Sequence, residues 1–390
     1  MSNTLTANSN ASKYLFIVSS SYGHLFPAIR LAHLLQKRRK DVLFVSAREH
    51  KILFDTYGIK CISVSNQPNP FLSTYDWYDS EVGRYQYDVI KQVVDEYQPD
   101  TIVATPLVMP AFVLAEAHSI PLIVIGYCEY LFPSVGEKNS KKQWRIESIT
   151  QHYNNLRENL CLPLIPADTA TSPLIGNKYL LRSIPHFTTQ ENLPSQVEFV
   201  GSLIWEPKYI NYDLDRFISK NRNNKRKRPL FFVQIGRLFS DRNLWNTLIM
   251  LLGKLPADFV VDLARSDYMR NHIEFPENFY LHPFVPLGYI KDDVCGVICS
   301  GQTTSVVSAI YYGKPILGIP NSADGAEVTD RIVENGIGAG IYQEHDIRED
   351  IFLNYFDKIE KGIYDDKRYF YQQHFLFYEE EDRLFEKSFA

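Results

Sequence analysis

The feature that most constrains how this chain folds is the stretch 297–333, in which apolar runs alternate with an amphipathic segment. The pattern predicts, in order, a strand, a small polar turn, a helix and a second strand, at 297–299, 300–305, 306–312 and 316–319. In such a unit the turn lies at the helix N-terminus, where unpaired N–H groups and the positive dipole end bind phosphate. An ordinary capped helix after a strand is the alternative that the turn alone leaves open.

Strand and helix patterns also alternate along most of the remaining chain. Apolar runs of strand length occur at 14–19, 41–46, 61–64, 101–104, 122–125, 177–183, 197–200, 230–234, 259–263 and 279–282. This α/β alternation predicts parallel sheets with right-handed crossovers, and 390 residues suit two domains better than one. We predict a disordered leader, an N-terminal domain, a linker, a second domain and a C-terminal helix, at 1–12, 13–200, 201–228, 229–360 and 361–390.

Composition excludes several classes of protein. A net charge of -5 gives no reason to expect a nucleic acid as partner. The five cysteines are odd in number and lack metal-ligand spacing, which indicates reduced thiols in the cytoplasm. No apolar run reaches the ~18 residues of a membrane-spanning helix, and residues 1–12 lack the apolar core of a secretion signal.

Small and turn residues in the C-terminal half match a known family. The matching residues are Gly301, Ser305, Ala309, Gly313, Pro315, Pro320, Asp324 and the Gly336-Ile337-Gly338 turn. They resemble the donor-nucleotide half of the UDP-glycosyltransferase family, of the bacterial natural-product and macrolide type. The chain departs from the family pattern at four positions: Ser300 replaces His, Gln302 replaces Gly, Ser308 replaces Glu and Gly325 replaces Gln.

The resemblance implies the GT-B fold, in which two Rossmann-like domains with parallel sheets face each other across an interdomain cleft. It also implies that the C-terminal helix at 361–390 crosses back to the N-terminal domain. The first domain is then expected to bind the acceptor, and the second the nucleotide sugar.

A Gly-His pair after the first predicted strand is the candidate catalytic element. His24 follows Gly23 and precedes Leu-Phe-Pro, and the resemblance implies that this G-H-x-x-P phrase supplies the general base. An imidazole with an unperturbed pKa near ~6.5 suits that role, whereas a helix cap is the alternative for a lone His. Thr105 stands where the family has an Asp beside the base. Another carboxylate, a more acidic acceptor, or a slow or inactive enzyme would each account for that change.

The resemblance also implies a set of donor-binding residues. They are Gly236, Arg237, Phe284, Val285, Ser300, Gly301, Gln302, Thr303, Thr304, Ser305 and Asp324. Backbone N–H groups at Gly236 would face the phosphates, and Arg237 would pair with them unless it is a surface residue. Phe284 would stack on the base while the Val285 backbone hydrogen-bonds it. Asp324 would bind sugar hydroxyls unless it is a helix N-cap.

The turn at 300–305 is expected to stabilise the departing diphosphate without a metal ion. Gly301 would let the backbone approach the phosphate closely, and three hydroxyls follow it, from Thr303, Thr304 and Ser305. The D-x-D spacing of 213–215 lies in the predicted linker, so we do not interpret it as a metal site.

The predicted function is therefore inverting transfer of a sugar from a UDP- or TDP-sugar to a hydroxyl, with no cofactor. The segments 65–84 and 127–144 are rich in aromatic residues and favour a small hydrophobic or aromatic acceptor. The chain is expected to act as a monomer or homodimer.

Two alternatives stay open. The phrase at 300–303 is similar to that of the membrane-associated N-acetylglucosaminyltransferase of peptidoglycan synthesis, which suggests a lipid-linked acceptor. The basic tract at 219–229 would then contact anionic lipid headgroups, although such a run is most often a solvated loop. A non-catalytic GT-B homologue that binds or activates a partner is the second alternative, favoured by the missing Asp and Gln.

Overall fold

The structure is a computed structural model that describes residues 11–65, 71–74, 76–127, 140–166, 173–188, 193–223, 228–234, 236, 242–263 and 275–389. The chain divides into two compact units. The first unit contains Met1–Ser183, Thr189–Trp205 and Tyr378–Ala390, and the second contains Ile184–Thr188 and Glu206–Phe377.

The described strands of the first unit form one parallel sheet. In chain order they are β1 Lys13–Ile17, β2 Asp41–Ala47, β3 Lys60–Val64, β4 Thr101–Ala104, β5 Leu122–Gly126, β6 Lys178–Leu181 and β7 Val197–Phe199. Their order across the sheet is β3-β2-β1-β4-β5-β6-β7. Because β1 pairs with β2 on one side and with β4 on the other, the sheet is doubly wound around β1.

Helices cover both faces of this sheet. They are α1 Tyr22–Lys37, α2 Lys51–Thr56, α3 Ser80–Tyr97, α4 Met109–His118, α5 Ser140–Asn159 and, from the C-terminal end, α13 Glu381–Phe389. Successive residues of β1 point to opposite faces. Phe16 packs in the core beneath α1 and α13, whereas Leu15 and Ile17 pack in the core beneath α3, α4 and α5. All three residues are fully buried, as expected of a central strand covered on both faces.

The second unit repeats this architecture with a six-stranded parallel sheet. Its strands are β8 Leu230–Gln234, β9 Asp258–Asp262, β10 Phe279–His282, β11 Gly296–Cys299, β12 Ile316–Gly318 and β13 Gly338–Gly340, in the order β10-β9-β8-β11-β12-β13. Its helices are α6 Tyr212–Arg222, α7 Arg242–Lys254, α8 Leu287–Ile290, α9 Thr303–Tyr311, α10 Ala323–Glu334, α11 Glu349–Glu360 and α12 Asp365–Tyr378.

These observations confirm the predicted fold class, because both units are Rossmann-like and built on parallel sheets. The start of α9 was predicted wrongly, because this helix begins at Thr303 rather than at 306. Its first turn is rich in hydroxyl side chains, and we interpreted that composition as a turn outside the helix.

Apart from the short segment Ile184–Thr188, the chain passes from the first unit to the second between Trp205 and Glu206, and returns between Phe377 and Tyr378. The segment predicted to be a linker, 201–228, includes the helix α6. The predicted domain boundaries stay predictions. A domain is a part of the chain that can fold independently, and the division into compact units does not test that property. The described cysteines, Cys61, Cys161, Cys295 and Cys299, are free thiols.

Candidate active site

The residues predicted to bind the donor lie at the carboxyl edge of the second unit's sheet. Gly236 follows β8, and Gln302 follows β11, the strand beside β8. The connections from these two strands run to opposite sides of the sheet, so this is the topological switch point, where open parallel sheets bind ligands. A Cβ atom at Gly236 would lie 3.0 Å from Oε1 of Gln302. The two predicted turns are therefore in contact.

The first turn of α9 provides backbone donors at this edge. Gln302 is the N-cap, so the predicted phosphate-binding residues 303–305 are helical rather than part of a loop. The Gln302 side chain makes no capping hydrogen bond to the N–H groups of that turn. The N–H groups at the start of a helix and its positive dipole end suit an anion.

Ser300 directly follows β11 and is buried. The residue is only 1% exposed, and its hydroxyl has no hydrogen-bond partner among the described residues. Leaving a buried hydroxyl without a partner costs about 1–3 kcal/mol, so this arrangement is unfavourable for folding alone. The Ser300 hydroxyl destabilises the fold and lies two residues before Gln302, the N-cap of α9. It is therefore a candidate for contact with a ligand.

Packing requires glycine at position 301, and the predicted close approach of its backbone to a phosphate stays a prediction. The Gly301 φ of +72° favours glycine, and a Cβ atom there would meet the Gly325 carbonyl oxygen at 2.3 Å and Thr329 Oγ1 at 2.6 Å. The space beside Gly301 is therefore filled by α10. Gly325 is needed for the same reason, because its own Cβ would lie 2.6 Å from the Ser300 carbonyl oxygen. A glutamine at position 325, as in the pattern of the UDP-glycosyltransferases, would therefore clash with the Ser300 carbonyl oxygen in this chain.

Asp324 lies in the first turn of α10, partly exposed. The N-cap of this helix is Ser322, whose hydroxyl accepts a hydrogen bond from the Gly325 N–H at 3.3 Å. The alternative interpretation of Asp324 as the cap is therefore wrong. Its carboxylate is left available at the edge where a donor sugar is expected.

The phrase predicted to bind the base follows β10. The Phe284 side chain is half-buried, whereas Val285 is buried. His282 Nδ1 lies 2.7 Å from the Phe284 carbonyl oxygen, and because a carbonyl only accepts, Nδ1 carries the proton of this hydrogen bond. Tyr209 packs edge-on against Phe284, with ring centroids 6.4 Å apart. The last predicted donor residue, Arg237, lies outside the described residues.

In the first unit, His24 is the third residue of α1. The proline of the G-H-x-x-P phrase, Pro27, has no N–H, so the Gly23 carbonyl four residues earlier lacks its helical donor. Two side chains replace that donor: the Tyr127 hydroxyl at 2.8 Å and Arg182 Nη1 at 3.2 Å. The proline of the motif therefore removes the helical donor of the Gly23 carbonyl, and residues distant in the chain bind this carbonyl and hold the turn that carries His24.

Tyr127 and Arg182 belong to a buried network. The Tyr127 ring lies 5.3 Å from the His24 ring, and its backbone N–H and C=O both bond to the Tyr179 hydroxyl. The Arg182 guanidinium also donates to the Ser202 carbonyl through Nε and Nη2, at 3.0 and 2.8 Å. We did not single out Arg182 from the sequence, because its partners are distant in the chain and no local pattern indicates them.

Thr105 lies fully buried at the end of β4. Its hydroxyl oxygen accepts a hydrogen bond from the Ser19 N–H at 3.0 Å, which joins the ends of β1 and β4 at the switch point of this sheet. The neighbouring Ser20 carbonyl accepts from His50 Nε2 at 2.7 Å. The predicted role of Thr105 in orienting His24 stays a prediction.

Comparison with solved structures identifies the architecture. The glycotransferase of kitacinnamycin superposes with a TM-score of 0.74 at 15% identity, covering 96% of this chain and 97% of that one. The spinosyn rhamnosyltransferase SpnG complexed with thymidine diphosphate gives a TM-score of 0.66 at 15% identity, over 93% and 96% of the two chains. The chain has the GT-B fold. This confirms the predicted resemblance at the level of architecture.

Curated relatives of this GT-B chain are also glycosyltransferases by name. A PGL/p-HBAD biosynthesis rhamnosyltransferase of Mycobacterium bovis is 21% identical over 344 residues, which is 80% of this chain and 73% of the relative. A PGL/p-HBAD biosynthesis glycosyltransferase of Mycobacterium tuberculosis is 21% identical over 182 residues. That match covers 43% of this chain and only 40% of the relative's length. No protein-family profile matches the chain.

The described residues contain neither a metal-binding cluster nor a membrane-spanning helix. Among the described residues, no group of three or more His, Cys, Asp or Glu side chains is arranged to hold a metal ion. No described helix combines the length and the hydropathy needed to cross a membrane. Residues 224–227 of the basic tract at 219–229 lie outside the described residues, and the contact of this tract with lipid headgroups stays a prediction.

Proposed function

We propose that this GT-B chain is an inverting glycosyltransferase that moves a sugar from a UDP- or TDP-sugar to a hydroxyl of a small hydrophobic or aromatic acceptor. The observation that supports the proposal most is the start of helix α9 at the switch point, preceded by the buried hydroxyl of Ser300, which has no hydrogen-bond partner among the described residues. The relatives named as rhamnosyltransferases and the neighbour with bound thymidine diphosphate favour the same donor class.

In the proposed reaction, His24 removes the proton from the acceptor hydroxyl while the oxygen of that hydroxyl forms a bond to the anomeric carbon of the donor sugar. The bond between that carbon and the diphosphate oxygen breaks, and the electron pair leaves with the diphosphate. The first turn of α9 stabilises the new negative charge, so no metal is required. Asp324 would bind sugar hydroxyls, and Phe284 with the Val285 backbone would bind the base.

An aromatic acceptor is favoured by side chains within the segment 65–84, which is predicted to line the acceptor pocket. The Trp77 ring lies 5.0 Å from the His152 ring of α5, and the adjacent Tyr78 is half-exposed. Exposed aromatic surface of this kind stacks well on planar or apolar molecules. The acceptor class, the monomeric or dimeric state and a cytoplasmic location belong to the proposal.

The wild-type protein should be stabilised by TDP or UDP. A ligand that binds only the native state adds ~2.7 kcal/mol at 100 times its Kd, which raises Tm by about 5 °C. A differential scanning fluorimetry panel of TDP, UDP, ADP and GDP measures this effect. Equal responses to all four nucleotides, or no response to any, would contradict the proposed donor class.

Replacing Ser300 by alanine tests its suspected contact with the donor. Because the hydroxyl has no hydrogen-bond partner among the described residues, Ser300→Ala should leave the Tm of the free protein unchanged or slightly higher. The TDP-induced rise in Tm should shrink, since the ligand loses one hydrogen bond worth about 1 kcal/mol. The matched control is Ser388→Ala in α13, because Ser388 is also buried and unpartnered among the described residues. A full TDP response in Ser300→Ala would show that this hydroxyl does not contact the donor.

A further inference from the structure

Glu206 is the first residue of the second unit after the crossing at Trp205, and its carboxylate is largely buried. Its two oxygens accept from the Gly288 N–H at 3.2 and 3.0 Å, and Oε2 also accepts from the Tyr312 hydroxyl at 3.0 Å. The Leu287 N–H is a further donor. Burial raises the pKa of Glu206, and these donors act in the opposite direction.

The donors come from two parts of the proposed donor site. Leu287 and Gly288 begin α8 directly after the phrase 283–286, which is proposed to bind the base. Tyr312 is the C-cap of α9, the helix whose first turn is proposed to bind the diphosphate. One carboxylate therefore joins the end of the base-binding phrase to the far end of the phosphate-binding helix.

Gly288 provides the space for this contact. A Cβ atom there would lie 2.2 Å from Glu206 Oε2 and 2.5 Å from the Tyr312 hydroxyl oxygen. Any larger residue would push the carboxylate or the tyrosine away. The glycine is thus required by the hydrogen bonds to Glu206.

The other end of the same phrase is held separately. His282 donates from Nδ1 to the Phe284 carbonyl oxygen, while the Tyr209 hydroxyl lies 3.1 Å from the same nitrogen. The proposed base-binding backbone is therefore fixed before Phe284 by His282 and after Pro286 by Glu206. A segment held at both ends loses little conformational entropy when the base binds.

We propose that Glu206 is a positioning residue that sets the nucleobase-binding backbone of Phe284 and Val285 relative to the phosphate-binding helix α9. The inference rests on the proposed function, because it assumes that both parts bind one nucleotide. Glu206 does not touch the nucleotide itself. It acts through α8 and Tyr312.

The substitution Glu206→Gln should weaken binding of TDP by about 10-fold while leaving binding of inorganic pyrophosphate unchanged. The three donors all face the carboxylate, and the NH2 group of glutamine cannot accept from any of them. The remaining oxygen of glutamine can still accept, so the base-binding phrase loses part of its anchor, whereas the first turn of α9 keeps its backbone N–H groups. Isothermal titration calorimetry with TDP and with pyrophosphate measures both constants.

The matched control is Glu379→Gln in the first unit. Glu379 is also a buried glutamate, and it accepts from the Ser202 hydroxyl and the Ile204 N–H, at 2.6 and 3.3 Å. This control should leave both binding constants unchanged. A second variant, Tyr312→Phe, removes one donor and keeps the carboxylate, so it should weaken TDP binding by about threefold and remain informative if Glu206→Gln does not fold.

The outcomes separate the two proposals. Wild-type protein that binds neither TDP nor UDP overturns the proposed function, and the role of Glu206 with it. Wild-type protein that binds TDP while Glu206→Gln binds it equally well overturns only the role of Glu206. An equal loss of TDP and pyrophosphate binding, or an equal effect of Glu379→Gln, also overturns that role.

Discussion

Replacing His24 by alanine should lower kcat/KM for sugar transfer by ~10²–10⁴-fold, because the acceptor oxygen would then have to attack while still protonated. Binding of TDP should not change, since the residues proposed to bind the donor all belong to the second unit. The assay measures release of TDP or UDP from the nucleotide sugar that gives wild-type turnover, with a panel of phenols and hydroxylated macrolactones as acceptors.

The matched control is His33→Ala, because His33 lies on the same helix and packs beside Trp205, with ring centroids 6.0 Å apart. That variant should transfer sugar at close to the wild-type rate. Equal activity in His24→Ala and wild type would remove His24 as the base. A wild-type protein that binds TDP but transfers no sugar would instead favour the non-catalytic alternative.

Replacing Gly301 by alanine should destabilise the second unit by about 2–4 kcal/mol and lower Tm by roughly 10 °C. The added methyl group would clash with the Gly325 carbonyl oxygen, which is backbone and cannot rotate away. Because Gly325 lies in the first turn of α10, beside Asp324, TDP-sugar binding should weaken as well. Scanning calorimetry measures the change in stability.

Gly336→Ala in the same unit separates steric clash from backbone strain. Gly336 has a similar φ of +65°, but its Cβ would meet only Lys367 Cγ, at an ordinary distance of 3.6 Å. This variant should cost about 1 kcal/mol from backbone strain alone. If Gly301→Ala and Gly336→Ala have the same Tm, the packing of α10 against Gly301 is not the reason that position 301 requires glycine.

Gly301 and Gly325 show which features of the site a local sequence pattern can predict and which it cannot. Gly301 was found from the sequence because a small residue after a strand is a local signal, and its positive φ agrees with that signal. The packing contact that demands glycine was not predicted, since it comes from Gly325, 24 positions later. Only the packing of α10 shows that Gly301 and Gly325 depend on each other.

His24 illustrates the same limit in the first unit. The G-H-x-x-P phrase marks the start of α1, and the missing N–H of Pro27 follows from the sequence alone. The groups that compensate for it, Tyr127 and Arg182, come from the ends of other strands. No local pattern predicts that they meet at the Gly23 carbonyl.

The amino-acid sequence by itself determined that this chain forms two parallel α/β sheets and that candidate ligand-binding residues follow their strands. It could do so because the hydrophobic period and the turn residues are local, and parallel strands place their carboxyl ends at one edge. The tertiary structure decided which of those residues meet. The contact of Gly236 with Gln302, the buried anchor at Glu206 and the support beneath His24 all join residues far apart in the chain, and such contacts exist only after the sheet has formed.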